Sequence, residues 1–130
     1  MTVRHLLTHT AGLDYGFFQP PGGAYAQAGV SDGMDASRMS LADNLRRLAT
    51  VPLAYAPGER WAYSIATDVL GGVIEAVTGL PLAHAVAQLV TAPLAMRDTG
   101  FISTQPERLA VAYADRAAGE HPFLQSNGAS

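Results

Sequence analysis

Ser64-Ile65-Ala66-Thr67-Asp68-Val69-Leu70-Gly71-Gly72-Val73-Ile74-Glu75-Ala76-Val77-Thr78-Gly79 carries the strongest periodic signal in this 130-residue chain. Ile65, Val69, Leu70, Val73, Ile74 and Val77 recur at i, i+4, i+5, i+8, i+9 and i+12. An α-helix gathers those positions into one stripe, whereas a strand would divide them between two faces. Ser64 stands where an N-cap is needed, Asp68 lies near the positive end, and Gly79 before Pro81 supplies a stop. The stretch predicts a helix from Ile65 to Val77 whose wide stripe needs partners elsewhere in the chain.

Those partners are found on both sides. Pro81 suits a first helical turn, and Leu82, Val86, Leu89 and Val90 continue a helix until Pro93. Upstream, Ser40 and Asp43 form a capping-box pattern, and Leu41, Leu45 and Leu48 set a helix over Leu41 to Thr50 with Arg46 and Arg47 near its negative end. Val51-Pro52 ends it and Pro57-Gly58 makes a turn. At the start, Thr2 caps a short helix from Val3 to His9, with Val3, Leu6 and Leu7 on the apolar side and Gly12 as its stop. Asp14 to Ser37, with Pro20-Pro21-Gly22-Gly23, reads as a long irregular loop, and such loops are usually functional or disordered. Leu94 to Ser130 has weak signals and is expected to fray toward Ser126-Asn127-Gly128. The fold class is mainly α.

Composition removes several functions. Charged residues are 15% of the chain, against about 25% for a typical soluble domain, so the sequence either hides an unusual share of its surface or belongs to something larger. No stretch reaches ~20 consecutive apolar residues, which excludes a spanning helix by hydropathy. The start, Met1 to His5, lacks the features of a signal peptide, and nothing in the sequence assigns a compartment. Net charge is -3 and the arginines are scattered, which argues against a nucleic-acid partner. Cysteine is absent, so disulfides and thiolate chemistry are excluded. All eight basic residues are arginine, and there is no lysine.

Two local patterns invite chemistry. His5 and His9 have the i, i+4 spacing of a two-histidine metal site, but the Glu of a His-Glu-x-x-His motif is missing and Asp14 is the only carboxylate nearby. The favoured reading is structural: one imidazole bonds a backbone carbonyl across the helix end and fixes the following turn. Tyr63-Ser64 lies just before the best helix, where both side chains can project into a cleft or, more simply, cap and pack. A tyrosine near cationic groups can relay a proton as a general base or acid. There is no Gly-x-Ser-x-Gly, Walker or GxGxxG motif. Composition and spacing alone stop at a helical domain.

Several segments together resemble the middle of a serine β-lactamase-like hydrolase, the superfamily of class C β-lactamases, DD-peptidases and family VIII carboxylesterases. Thr2-Val3-Arg4-His5-Leu6-Leu7-Thr8-His9-Thr10-Ala11-Gly12-Leu13 is close to that family's TVRHLLTHTSGL segment. Pro57-Gly58-Glu59-Arg60-Trp61-Ala62-Tyr63-Ser64 is similar to its entry into the second catalytic motif, and Asp68 to Leu82 resembles its long helix and glycine stop. Pro93-Leu94-Ala95-Met96-Arg97-Asp98-Thr99-Gly100-Phe101 resembles its PLGM-x-DT-x-F segment. The likeness runs over residues 2–101 and leaves 102–130 weakly defined, which implies that 1–130 is a single partial domain: the helical subdomain of a two-domain fold, α plus α/β.

In that family a nucleophilic Ser and its Lys form a Ser-x-x-Lys motif upstream, and a Lys-Thr-Gly or His-x-Gly strand follows downstream. A chain without lysine cannot hold Ser-x-x-Lys, so no nucleophile is carried over to any serine here, Ser64 included. The resemblance assigns Tyr63 as the catalytic tyrosine, relaying a proton between nucleophile and leaving group. Ile65 fills the family's Asn position and offers no side-chain hydrogen bond, which leans the reading toward carboxylesterases over β-lactam or D-alanyl peptide hydrolases. Tyr15, Phe17 and Phe18, with Ile65, are candidate substrate-binding residues, although an aromatic cluster also serves local packing. The implied partners are a small-molecule ester or amide and the missing α/β domain; neither metal nor organic cofactor is implied. A non-catalytic helical binding module is the alternative from another class.

Overall fold

The computed structural model describes residues 1–33 and 39–111, and the described residues are helical with no strand. Among the described residues are five α-helices, α1 (Val3–Leu7), α2 (Ala24–Ala28), α3 (Leu41–Leu48), α4 (Ala66–Thr78) and α5 (Leu82–Val86). The central element is α4, which packs against α1, α3 and α5. Its stop is the expected one: Gly79 takes the left-handed conformation at φ 67° and donates to the Glu75 carbonyl. Its start departs from expectation. Ile65 is the N-cap residue and makes no side-chain cap bond, because the Ser64 hydroxyl turns inward to His9.

The stripe divides along its length. Ile65 and Ala66 are fully buried with Leu6, Ala11, Leu13, Tyr25 and Leu48, and Val69, Leu70 and Val73 pack against that core. Toward the C-terminal end Ile74 and Val77 are exposed. Close approach on the flanks depends on the Gly71-Gly72 pair. A Cβ on Gly71 would meet Leu82 at 2.9 Å, and one on Gly72 would meet Leu45 at 2.3 Å. Thus α5 and α3 each seat a leucine where α4 has no side chain.

One flanking helix is shorter than predicted, and the other runs to Thr91 but changes its winding partway. In α3 Ser40 caps as read, its hydroxyl accepting from the Asp43 N–H at 3.1 Å and donating to the Asp43 carboxylate at 2.6 Å, but the helix ends at Leu48 rather than Thr50. For α5 the cap comes from α4, whose Glu75 carboxylate accepts from the Leu82 N–H at 2.8 Å. After Val86 the backbone widens into a π-helix over Ala87–Thr91, followed by Ala92 donating to the Ala87 carbonyl.

At the N-terminus α1 stops at Leu7, two residues short of the expected His9, because His9 adopts φ 52°. Leu6 is buried, while Val3 and Leu7 are exposed. The region read as an irregular loop is structured over its described part. It holds a 3-10 turn at Gly16–Phe18 and α2. The buried Tyr25 hydroxyl accepts from the Asp14 N–H at 3.0 Å, and Asn44 of α3 exchanges two hydrogen bonds with the Ser31 backbone at 2.9 and 2.7 Å. Side-chain to backbone bonds of this kind are invisible to periodicity. The end of that loop at Ser37, and the expectation for residues 112–130, lie outside the described residues. Before them, Pro106–Arg108 forms a 3-10 turn, and Arg108 clasps Asp98 at 2.6 and 3.0 Å. No single helix among the described residues is long and apolar enough to cross a membrane.

Candidate active site

The two segments that carry most of the resemblance are stitched together by their backbones. Ala54 donates to Gly12 and Gly58 to Thr10, both at 2.8 Å; Ala62 donates to His9 at 2.9 Å and Ile65 to Asp14 at 3.2 Å. Gly12 makes the approach possible. It sits at φ 82°, and a Cβ there would lie 2.2 Å from the Tyr55 carbonyl oxygen, well inside contact distance and in a backbone region that L side chains avoid.

This junction sets Tyr63 at the start of α4 with half of its surface exposed. Its ring lies 5.2 Å from that of Tyr15 and 5.0 Å from that of His9. Tyr15 stacks on Phe17 at 4.8 Å, and Phe17 meets Phe18 edge-on at 4.5 Å. Tyr15, Phe17 and Phe18 therefore form one aromatic wall that reaches Tyr63, with Phe17 and Phe18 exposed. The Tyr15 hydroxyl is pushed up to about 12, first by burial and then by the neighbouring Tyr63. Asp68, one turn into α4, has its carboxyl raised by burial, with its own backbone N–H opposing.

Ile65 is placed differently from the rest of the predicted set. Its side chain is 0% exposed and belongs to the core, so it does not stand beside Tyr63 on the open face. Ser64 is 1% exposed, with its hydroxyl 3.3 Å from His9 Nδ1. The distance suits a Ser-His pair, but a hydroxyl sealed in the core cannot attack a substrate.

The two histidines part company. His5 lies against Gly58, with its Nδ1 buried and unpaired. His9 lies beyond the end of α1 and turns to Ser64, whose backbone N–H donates to His9 Nδ1 at 3.2 Å. The shared face that a metal pair needs ends at Leu7. The expected bond from an imidazole to a backbone carbonyl is also replaced: His9 bonds a backbone N–H from a segment 55 residues away. Sequence reasoning missed this contact because nothing in local spacing reports so distant a partner. The juxtaposition of the two resemblance motifs was the one available signal.

Residues 1–128 match the family model described as Beta-lactamase. The chain belongs to that family. It is 55% identical over 138 residues to "Esterase EstB" of Burkholderia gladioli, a match covering 100% of this chain and 35% of that protein. It is 34% identical over 111 residues to "Monacolin J acid methylbutanoyltransferase" of Aspergillus terreus, covering 85% of this chain and 25% of the relative. Among solved structures, "EstCE1, a hydrolase with promiscuous acyltransferase activity" superposes with a TM-score of 0.88 at 47% identity, over 95% of this chain and 32% of that one. The D-amino acid amidase of Ochrobactrum anthropi does so with a TM-score of 0.66 at 26% identity, over 92% of this chain and 32% of that one. The chain thus spans about a quarter to a third of the length of these relatives, which are esterases, an acyltransferase and an amidase by name, and it is a helical portion of the serine β-lactamase-like hydrolase fold.

Proposed function

We propose that this chain is the tyrosine-bearing part of a serine hydrolase that cleaves esters through an acyl-enzyme, with Tyr63 as the proton relay and the nucleophile outside residues 1–130. The observation that supports it is Tyr63 itself: half exposed, its ring packed beside those of Tyr15 and His9, and held at the mouth of α4. In the reaction, the attacking serine hydroxyl loses its proton as its oxygen bonds to the acyl carbon. That proton returns to the departing alcohol oxygen as the ester C–O bond breaks. A phenol can carry the proton between them. Residues 1–130 would then act as one partial domain, with the α/β domain as its intramolecular partner and a small ester as substrate.

Ester over β-lactam or D-alanyl peptide is supported by the esterase names among the relatives. Phe17 and Phe18 would present an apolar surface to the acyl group. A second reading shares the same acyl-enzyme and differs in its acceptor: the relatives named acyltransferases favour an alcohol in place of water. Expressed with its flanking coding sequence, the protein should acylate with p-nitrophenyl butyrate in a stopped-flow burst. Tyr63→Phe should slow that burst about a hundredfold or more, the scale of a general acid-base group; an unchanged burst returns Tyr63 to packing. Supplying a short-chain alcohol and measuring product ester separates transfer from hydrolysis.

A further inference from the structure

Tyr63 is flanked by two residues that are both bonded to His9. The Ala62 N–H donates to the His9 carbonyl at 2.9 Å, and the Ser64 N–H donates to His9 Nδ1 at 3.2 Å. The imidazole also packs 5.0 Å from the Tyr63 ring. One half-buried residue thus holds the peptide on each side of the phenol and one face of the ring. It does so from a left-handed backbone, φ 52°, a conformation in which residues with a Cβ are uncommon and histidine is among those enriched.

The chemistry of the clamp fixes the state of the ring. A backbone N–H can only donate, so Nδ1 must present its lone pair, and the ring proton of the neutral imidazole is then on Nε2. The Ser64 hydroxyl, 3.3 Å from the same nitrogen, then also acts as a donor toward it. We infer that His9 is a positioning residue for Tyr63, a neutral imidazole whose Nδ1 lone pair fixes the 62–64 backbone and with it the direction of the phenol. The inference rests on the reading of Tyr63 as the proton relay, and it adds a residue that touches neither substrate nor nucleophile.

Two substitutions separate the acceptor from the backbone. His9→Asn supplies a side-chain oxygen near the place of Nδ1 and tolerates a positive φ; His9→Gly permits the same φ and has no acceptor. In the protein expressed with its flanking sequence, His9→Gly should lower the p-nitrophenyl butyrate acylation rate about tenfold or more through misplacement of the phenol, with KM within about twofold. His9→Asn should recover the rate to within about threefold of the parent. In the 130-residue chain, nitrogen NMR of the His9 ring should show an unprotonated Nδ1 and a protonated Nε2. A folded His9→Gly protein that acylates at the parent rate overturns the inference, as does equal impairment of the two variants or a protonated Nδ1. If instead Tyr63→Phe leaves acylation unchanged, the proposed function fails while the Nδ1 result still reports the clamp.

Discussion

Tyr63 keeps half its surface in solvent because its neighbours, rather than its own ring, carry the anchoring. Burial separates it sharply from Ile65, two positions on. Ile65→Asn would put an amide in a fully buried site with no partner while removing apolar packing, and should destabilise the chain by about 3 kcal/mol. Urea unfolding measures this, and a loss within experimental error would show that the core has been placed wrongly. Asp68 offers a pH test. Burial raises its carboxyl above the ordinary 3.8, so the folded state favours the neutral acid. Its contribution is therefore fully present below 3.8 and is lost as pH rises through the shifted value. Asp68→Asn should raise Tm at neutral pH and leave it unchanged well below 3.8; the opposite pattern would mean that the helix terminus outweighs desolvation. Tyr63 was legible in the sequence through the motif that contains it. His9 was legible only as a spacing to His5, since its partner is distant in sequence and its left-handed turn removes it from the helix on which that spacing depends.

Among the elements, the helices with long stripes were readable and their ends were not. Hydrophobic recurrence located α3 and α4, and Gly79 stops α4 as expected. Ser64 looked like a cap by position, but a side chain that can reach His9 across the junction satisfies that bond instead. The irregular-loop reading of residues 14–37 failed over its described part for a related reason: Tyr25, Gln19 and Asn44 supply side-chain bonds that order backbone lacking any repeat. Two glycine substitutions contrast the kinds of close approach that hold the elements together. Gly12→Ala meets a backbone oxygen at 2.2 Å from φ 82° and should cost about 2 kcal/mol or more, opening the junction that holds Tyr63. Gly72→Ala meets the end of the Leu45 side chain, which can turn away, and alanine gains up to about 1 kcal/mol of helix propensity. Denaturation midpoints should therefore fall much further for Gly12→Ala than for Gly72→Ala, and a reversal of that order would contradict the packing described.

For the whole molecule, incompleteness shows on its surface. Val73, Ile74, Val77, Val86, Leu89 and Val90 line an apolar groove of about 270 Å³, and Trp61, Phe17 and Phe18 are exposed beside the Tyr63 face. A chain with 15% charged residues has few with which to solvate such faces. Hydrogen exchange should find the strongest protection across Val69 to Glu75, where α1, α3 and α5 converge on α4, and the fastest exchange over Gly16 to Gly23. The reverse order would place the core in the other half. Whether residues 1–130 supply a relay tyrosine and no nucleophile, as proposed, is read by covalent capture with a serine-reactive fluorophosphonate followed by peptide mass spectrometry. The 130-residue chain should stay unlabelled, and the protein expressed with its flanking sequence should be labelled on a serine outside residues 1–130. A stoichiometric label on Ser64 or any other serine within residues 1–130 would contradict the proposal.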